Sequence, residues 1–253
     1  ATYKNRQAGQ PFFHVQNYTT THEGNLHFSQ ETIDKTTDED LEHIKVFPYH
    51  PDTKTFRFSY HHFQKRHKLA DQQMDDFLKD LDEQGLMEDT IIFYYGDHGG
   101  VLPRSKGYTY ESGLQIPLVV YVPEKWKHLI PYDKGSRSQT FVEFIDLAPT
   151  ALALAGVNVP RGMDGTPVMG KIVQKSEIQN KNTAFGHADR FDEKYDLVRT
   201  LRVGKYKYIR NYQPFNVDAL FNFYRYKMIA YKEWLSLYLS LIHISEPTRP
   251  YWI

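Results

Sequence analysis

The sequence predicts an α/β fold: a mainly parallel sheet sandwiched by helices, followed by a smaller C-terminal antiparallel α+β subdomain. Three observations carry this expectation. Residues 91–95 (Ile91-Ile92-Phe93-Tyr94-Tyr95) and 118–122 (Leu118-Val119-Val120-Tyr121-Val122) are apolar on both faces, as strands held between helical layers are. A helical pattern precedes the first strand and another follows the second, the rhythm of βα units. After Gly170 the pattern changes to alternating apolar and basic residues, which suits a hairpin with one wet face.

Taken in chain order, residues 11–18 read as a buried strand, entered at Pro11 and rich in aromatic residues, and residues 19–23 leave it as a polar loop. Residues 47–56, rich in Pro, Asp, Thr and His, read as a loop without periodicity. Residues 69–84 form an amphipathic helix with Met74, Phe77, Leu78 and Leu81 on one stripe and Gly85 at its C-cap. Residues 141–155 are helical, with Asp146 and Pro149 in the first half and Gly156 at the end. Residues 197–202 and 205–210 alternate around Gly204 as two antiparallel strands. The expected division is 1–170 for part of an α/β catalytic domain, 171–238 for the subdomain, and 239–253 for a tail of foreign origin. No internal repeat is present.

Composition narrows the function classes. Apolar residues make up 40% of the 253 and charged residues 25%, as in ordinary globular proteins. Basic and acidic residues balance at 31 each, so no nucleic-acid partner is expected. No apolar run approaches the roughly 18 residues that a bilayer span needs. Cysteine is absent, which excludes disulfides, thiolate metal sites and cysteine nucleophiles within these residues and leaves the compartment open. The 19 Tyr and 16 Phe suit buried strands and carbohydrate-contacting surfaces alike. The chain starts with Ala rather than Met, so its natural beginning is expected upstream.

The chemistry gathers directly after residues 91–95, in Gly96-Asp97-His98-Gly99-Gly100. Ligands of doubly wound sheets collect at the carboxyl ends of strands. The glycines let the backbone bend sharply and approach a ligand. Asp97 and His98 offer a carboxylate and an imidazole side by side, able to hold a divalent cation or simply to cap a tight turn.

Further along come Pro103-Arg104-Ser105-Lys106, then Tyr110-Glu111-Ser112-Gly113 and Ile116-Pro117-Leu118. The order Asp-His-Gly, a lysine, an aromatic-acid-small-Gly run and an apolar-Pro-apolar strand resembles the sulfatases of the alkaline-phosphatase superfamily. That resemblance implies an alkaline-phosphatase-like fold and Asp97 and His98 as Ca2+ ligands, where many relatives have Asn in place of His98. It implies Lys106 as a ligand of the sulfate group. The strand at 11–18 with Thr21-His22 is similar to the family segment that delivers a histidine, so His22 is expected to bind the sulfate or protonate the leaving group. The family more often has Pro where Thr21 stands. Phe144-Ile145-Asp146-Leu147-Ala148-Pro149-Thr150 and Met163-Asp164-Gly165 resemble the downstream helix and its Asp-Gly. Residues 186–195 and 205–210 are similar to the C-terminal subdomain of one bacterial branch. Arg104 either contacts the anionic substrate or is an ordinary surface residue; both readings are open. The same holds for His187, Arg190 and Asp192, placed in a polar loop as substrate contacts or as ion-paired structure. His61, His62 and His67 read as a solvated face or helix start, and His14 as a core or interface histidine.

Family sulfatases attack sulfur with formylglycine, made from the first residue of a Cys/Ser-x-Pro-x-Arg motif. No such motif lies upstream of His22. Ser245-Glu246-Pro247-Thr248-Arg249 fits the pattern but lies at the wrong end, in a run from Leu239 that looks like a translated sequencing adapter. The expected protein is therefore part of a metal-dependent sulfatase, inactive by itself, whose parent hydrolyses a sulfate ester or sulfamate on a sulfated small molecule or glycan. Exported (periplasmic or extracellular) or lysosomal placement follows from the family. The alternatives are a phosphomonoesterase or phosphonate hydrolase of the same superfamily, and a non-catalytic relative that binds sulfated glycans.

Overall fold

A computed structural model describes residues 3–216 and 221–240. Its helices are α1 (Gln30–Asp34), α2 (Lys54–Glu83), α3 (Glu111–Leu114), α4 (Leu147–Leu154), α5 (Lys175–Gln179) and α6 (Ile229–Ser240). Its strands are β1 (Ile92–Tyr95), β2 (Leu118–Tyr121), β3 (Thr183–Phe191), β4 (Lys194–Val203) and β5 (Tyr206–Asn211). The tail 239–253 lies beyond the described residues from 241 onward, and so does the Ser245–Arg249 motif.

The long helix α2 is the frame. It starts fifteen residues before the expected helix, where the Thr53 side chain accepts the Phe56 N–H as an N-cap. Its first half is a stripe of Phe56, Tyr60 and Phe63, aromatic residues of middling helix propensity that tertiary packing holds helical. The second half follows the expected stripe and ends at Gly85. There φ is +65°, the Gly85 N–H donates to the Asp82 carbonyl and the Leu86 N–H to the Leu81 carbonyl, closing a Schellman motif. His61, His62 and His67 accordingly lie within α2 rather than ahead of a helix. The main core joins α2 to distant segments: Phe56 and Tyr60 meet Leu26, Val101, Leu102, Met228 and Tyr231.

Two expectations about strands change. Residues 11–18 form no strand among the described residues. No described strand pairs with them, and Phe13 is 82% exposed. An apolar run becomes a strand only when a neighbour completes its hydrogen bonds. The strands β1 and β2 are not parallel: they pair antiparallel, with Tyr95 opposite Leu118 and Ile92 opposite Tyr121. The connection 96–117 holds only the four-residue α3 and folds back on itself, which returns the chain beside β1 instead of crossing over. Every strand pair among the described residues is antiparallel.

The C-terminal hairpin is as expected. β4 and β5 pair with Val203 opposite Tyr206 across Gly204, whose φ is +55°. A third strand, β3, joins β4 on its other side. His187 and Arg190 therefore lie in a strand rather than in a loop, and only Asp192, at φ +50°, sits in the turn. The helix expected at 141–155 forms as a short turn at Phe144–Asp146 running into α4, and ends at Gly156 with φ +72°. Asp146, fully buried, accepts the Glu143 and Thr166 N–H groups at 2.8 and 3.0 Å and pairs with Lys181.

One buried histidine makes stability depend on pH. His50 Nε2–H donates to the Pro103 carbonyl at 2.8 Å, and Nδ1 accepts from the Tyr60 hydroxyl at 2.7 Å. Burial, reinforced by the Arg104 charge, pushes its pKa down to about 4 against the pull of the Pro103 carbonyl. Below pH 6.5 the unfolded chain takes up a proton that the folded chain refuses. Up to about 3 kcal/mol of stability is then lost between pH 6.5 and about 4. Urea unfolding at pH 7 and pH 4.5 should show this loss, and His50→Gln should flatten it.

Candidate active site

The loop after β1 is held by its own backbone. The Gly99 N–H donates to the Gly113 carbonyl at 2.9 Å, the Gly100 N–H to Ser112 at 3.0 Å, and the Lys106 N–H to Gly100 at 2.9 Å. The Ser112 hydroxyl closes the mesh by donating to the Arg104 carbonyl at 2.6 Å. Glycine is required here for space. A Cβ on Gly99 would lie 2.0 Å from the Ser112 carbonyl oxygen, and one on Gly113 2.3 Å from those of Ser105 and Tyr108. From the outside, Glu111 is gripped by Lys207 of β5 at 2.7 Å and by Arg202 of β4.

This mesh carries Asp97 and His98 at one end and Lys106 at the other. The Asp97 side chain is 89% exposed. His98 Nδ1 lies 2.6 Å from the Gly99 carbonyl. A carbonyl can only accept, so Nδ1 carries the hydrogen, and in the neutral ring Nε2 then has the lone pair. That Nε2 stands 3.5 Å from an Asp97 carboxylate oxygen. Two electron-pair donors facing each other suit a cation between them, and the second ring nitrogen fixed on a backbone carbonyl is how ligating histidines are oriented. Among the described residues, no group of three or more His, Cys, Asp or Glu side chains is placed to hold a metal ion. A calcium ion takes six to eight oxygen ligands. The donor set thus fits one face of a divalent-cation site, with Asp97 the better match and His98 the softer one.

Lys106 reaches across to the segment that carries His22. Its ammonium lies 2.8 Å from the Glu23 carboxylate; the two side chains are 21% and 4% exposed. His22 caps the short turn Glu23–Leu26: its Nδ1 accepts the Gly24 N–H at 3.1 Å. In the neutral ring, Nε2 therefore carries the hydrogen and is a donor toward an anion. Asn25 ties the turn to Thr19 and Thr20, and Arg66 of α2 holds Thr20 at 2.8 Å and Asn25 at 3.0 Å. Through Glu23, Lys106 meets the turn that His22 caps. Asp97 and His98 lie at the other end of the glycine mesh from Lys106.

Arg104 adopts φ +65°, and its guanidinium packs 3.7 Å from the centre of the Tyr110 ring and 4.7 Å from that of Tyr49. The geometry gives it a stacking role. Asp189 pairs with Arg199, and Arg190 donates to the Asp192 backbone carbonyl at 2.8 Å, which ties β3 to its turn. Phe185, His187 and Arg199 line a shallow depression of about 360 Å³ there.

Three residues of this region escape sequence reasoning. Glu23 gives a weak signal, an acid next to a candidate histidine. Tyr224 gives none, yet its ring lies 4.9 Å from His27 and 6.3 Å from His22. Arg225 gives none either. It is 2% exposed, stacks on Phe191 at 4.2 Å, and lies where a Cβ on Gly107 would fall 2.2 Å from its Nη2.

The same residues are matched by known families. The sulfatase profile matches residues 1–157, and that of the N-sulphoglucosamine sulphohydrolase C-terminal region matches 96–233. An ulvan-active sulfatase of Formosa agariphila is 32% identical over 248 residues, covering 85% of this chain and 40% of the relative. Arylsulfatase K of Xenopus laevis is 28% identical over 119 residues, covering 46% of this chain and 20% of the relative. A crystal structure assigned as a sulfatase, from Bacteroides thetaiotaomicron, superposes with a TM-score of 0.52 at 16% identity. It covers 95% of this chain and 54% of that one, a likeness of fold. The chain spans about 40% of the ulvan-active relative and less of the arylsulfatase. With the family profile covering well over half of its residues, the chain belongs to the sulfatase family.

Proposed function

We propose that this chain supplies one wall of the active site of an enzyme that hydrolyses sulfate esters or sulfamates on a carbohydrate. The observation that carries the proposal is the junction of Lys106 with the His22 turn through Glu23, at 2.8 Å. An ammonium and an Nε2–H donor are thereby held on neighbouring segments, the combination a sulfuryl group needs as negative charge builds on its oxygens. Lys106 binds the anion. His22 donates a hydrogen bond to it or a proton to the departing alcohol. Asp97 and His98 would hold a calcium ion, which when bound would act as a Lewis acid on the sulfuryl oxygens.

The formylglycine nucleophile and the remaining metal ligands are assigned to the rest of the whole protein, as is the mainly parallel sheet. The exposed Tyr95 and Val119 of β1 and β2 leave a face that further elements would cover. The ulvan-active relative points to a sulfated polysaccharide substrate. Such a polymer is met outside the cell, so we assign the whole protein to an exported location. No helix among the described residues is long and apolar enough to cross a membrane.

The test is sulfate release, by ion chromatography, from sulfated polysaccharides incubated with the full-length protein. Release should fall at least about 100-fold after chelation and return with calcium. No release from any sulfated substrate, with calcium present, overturns the proposal; release unaffected by chelation overturns its metal part.

A further inference from the structure

Glu23 takes no part in the chemistry proposed for the sulfuryl group, yet it is the group through which the site is joined. Its side chain is 4% exposed, and the carboxylate meets the Lys106 ammonium across 83 positions of sequence. A lysine side chain has four rotatable bonds, and left to itself its ammonium ranges widely. One buried carboxylate removes that freedom. An ammonium has three N–H donors, so the one directed at Glu23 leaves two for an incoming anion.

The carboxylate is itself fixed. It belongs to the turn Glu23–Leu26, capped by His22. Tyr224 packs over that turn: a Cβ on Gly24 would fall 3.1 Å from its hydroxyl and 3.2 Å from His22 Nδ1. The Lys106 ammonium is thereby anchored to the turn that the histidine caps.

Resting on the sulfatase reading, we propose that Glu23 is a positioning residue that holds the Lys106 ammonium against the turn capped by His22. It touches neither substrate nor metal and acts through the lysine. A carboxylate whose only task is to fill the turn would act independently of Lys106, and this separates the two roles.

The test is a double-mutant cycle in the full-length protein, together with amine labelling. Glu23→Gln should lower kcat/KM for a sulfate ester about 100-fold, and the shorter Glu23→Asp about tenfold. In a Lys106→Met background, Glu23→Gln should cost less than about threefold, because the group it positions is gone. An equal loss in both backgrounds overturns the proposal. Acetic anhydride, read by mass spectrometry, should label Lys106 about fivefold faster in Glu23→Gln relative to the exposed Lys127, a factor that one modest ion pair carries. Unchanged labelling of Lys106 also overturns it. If Glu23→Gln does not fold, Glu23→Asp takes its place in both measurements, and an equal kinetic loss or unchanged labelling overturns the proposal in the same way. A parent that releases no sulfate refutes the sulfatase reading alone, since the labelling result still decides whether Glu23 holds Lys106.

Discussion

Lys106→Met in the full-length protein is expected to lower kcat/KM for sulfate esters by about 10³-fold. Removing one preorganised donor to a developing oxyanion costs about 10²–10³ in rate, and Lys106 carries a full charge as well. The same change leaves the Glu23 carboxylate, 4% exposed, without its partner. A buried charge that loses its counter-ion costs about 1–3 kcal/mol after allowance for the partial exposure of Lys106. A lower melting temperature of the full-length protein follows. Activity and stability should therefore drop together. Lys106→Arg should recover most of the stability and little of the rate, because a planar guanidinium can meet Glu23 but presents its donors differently to a sulfate. Unchanged kinetics with a lowered melting temperature would make Lys106 a structural residue only.

Gly99→Ala is expected to be the most disruptive single methyl group in the molecule's site. The new Cβ would lie 2.0 Å from the Ser112 carbonyl oxygen, 2.7 Å from the Ser112 carbonyl carbon and 2.8 Å from that of Gly113. All three are backbone atoms, so no rotamer change relieves the clash. The two strands of the mesh must separate, breaking the Gly99–Gly113 and Gly100–Ser112 hydrogen bonds. A cost of about 3–5 kcal/mol follows, at the upper end of single substitutions. Gly85→Ala is the control: at φ +65° it is strained, but nothing lies within 4 Å, so about 1 kcal/mol is expected. Thermal melts of the two variants should differ by roughly 5–15 °C. Equal melts would mean that the mesh does not hold the loop.

The parts of this architecture that were legible are those whose cause is local. Gly85, Gly156 and Gly204 each mark a positive-φ position, where chain sterics favour glycine, and each stands where its element ends or turns. The block from Asp97 to Pro117 stood out because close backbone approach demands glycines and the chemistry demands Asp, His and Lys in short order. What depends on distant partners was not legible. The apolar runs of β1 and β2 gave their existence but not their direction, which the folded-back connection decides. Residues 11–18 carry strand-forming side chains but meet no neighbouring strand among the described residues. The first half of α2 hid behind aromatic and histidine residues whose helicity comes from packing. Strand β3, with Gly186, His187 and Asp189 among its residues, has a polar composition that local reading takes for a loop. Glu23 is the clearest case, since its partner is 83 positions away and no spacing rule reaches that far.

A ratio tests the central assignment most directly. The full-length protein, with calcium, is given an aryl sulfate and the matching aryl phosphate, and kcat/KM is measured for each. The sulfatase activity proposed for the whole protein, with Lys106, His22 and the Asp97–His98 pair as one wall of its site, predicts a sulfate-to-phosphate ratio above about 10², some 3 kcal/mol of discrimination. A ratio below one would contradict the assignment and make the site that of a phosphatase.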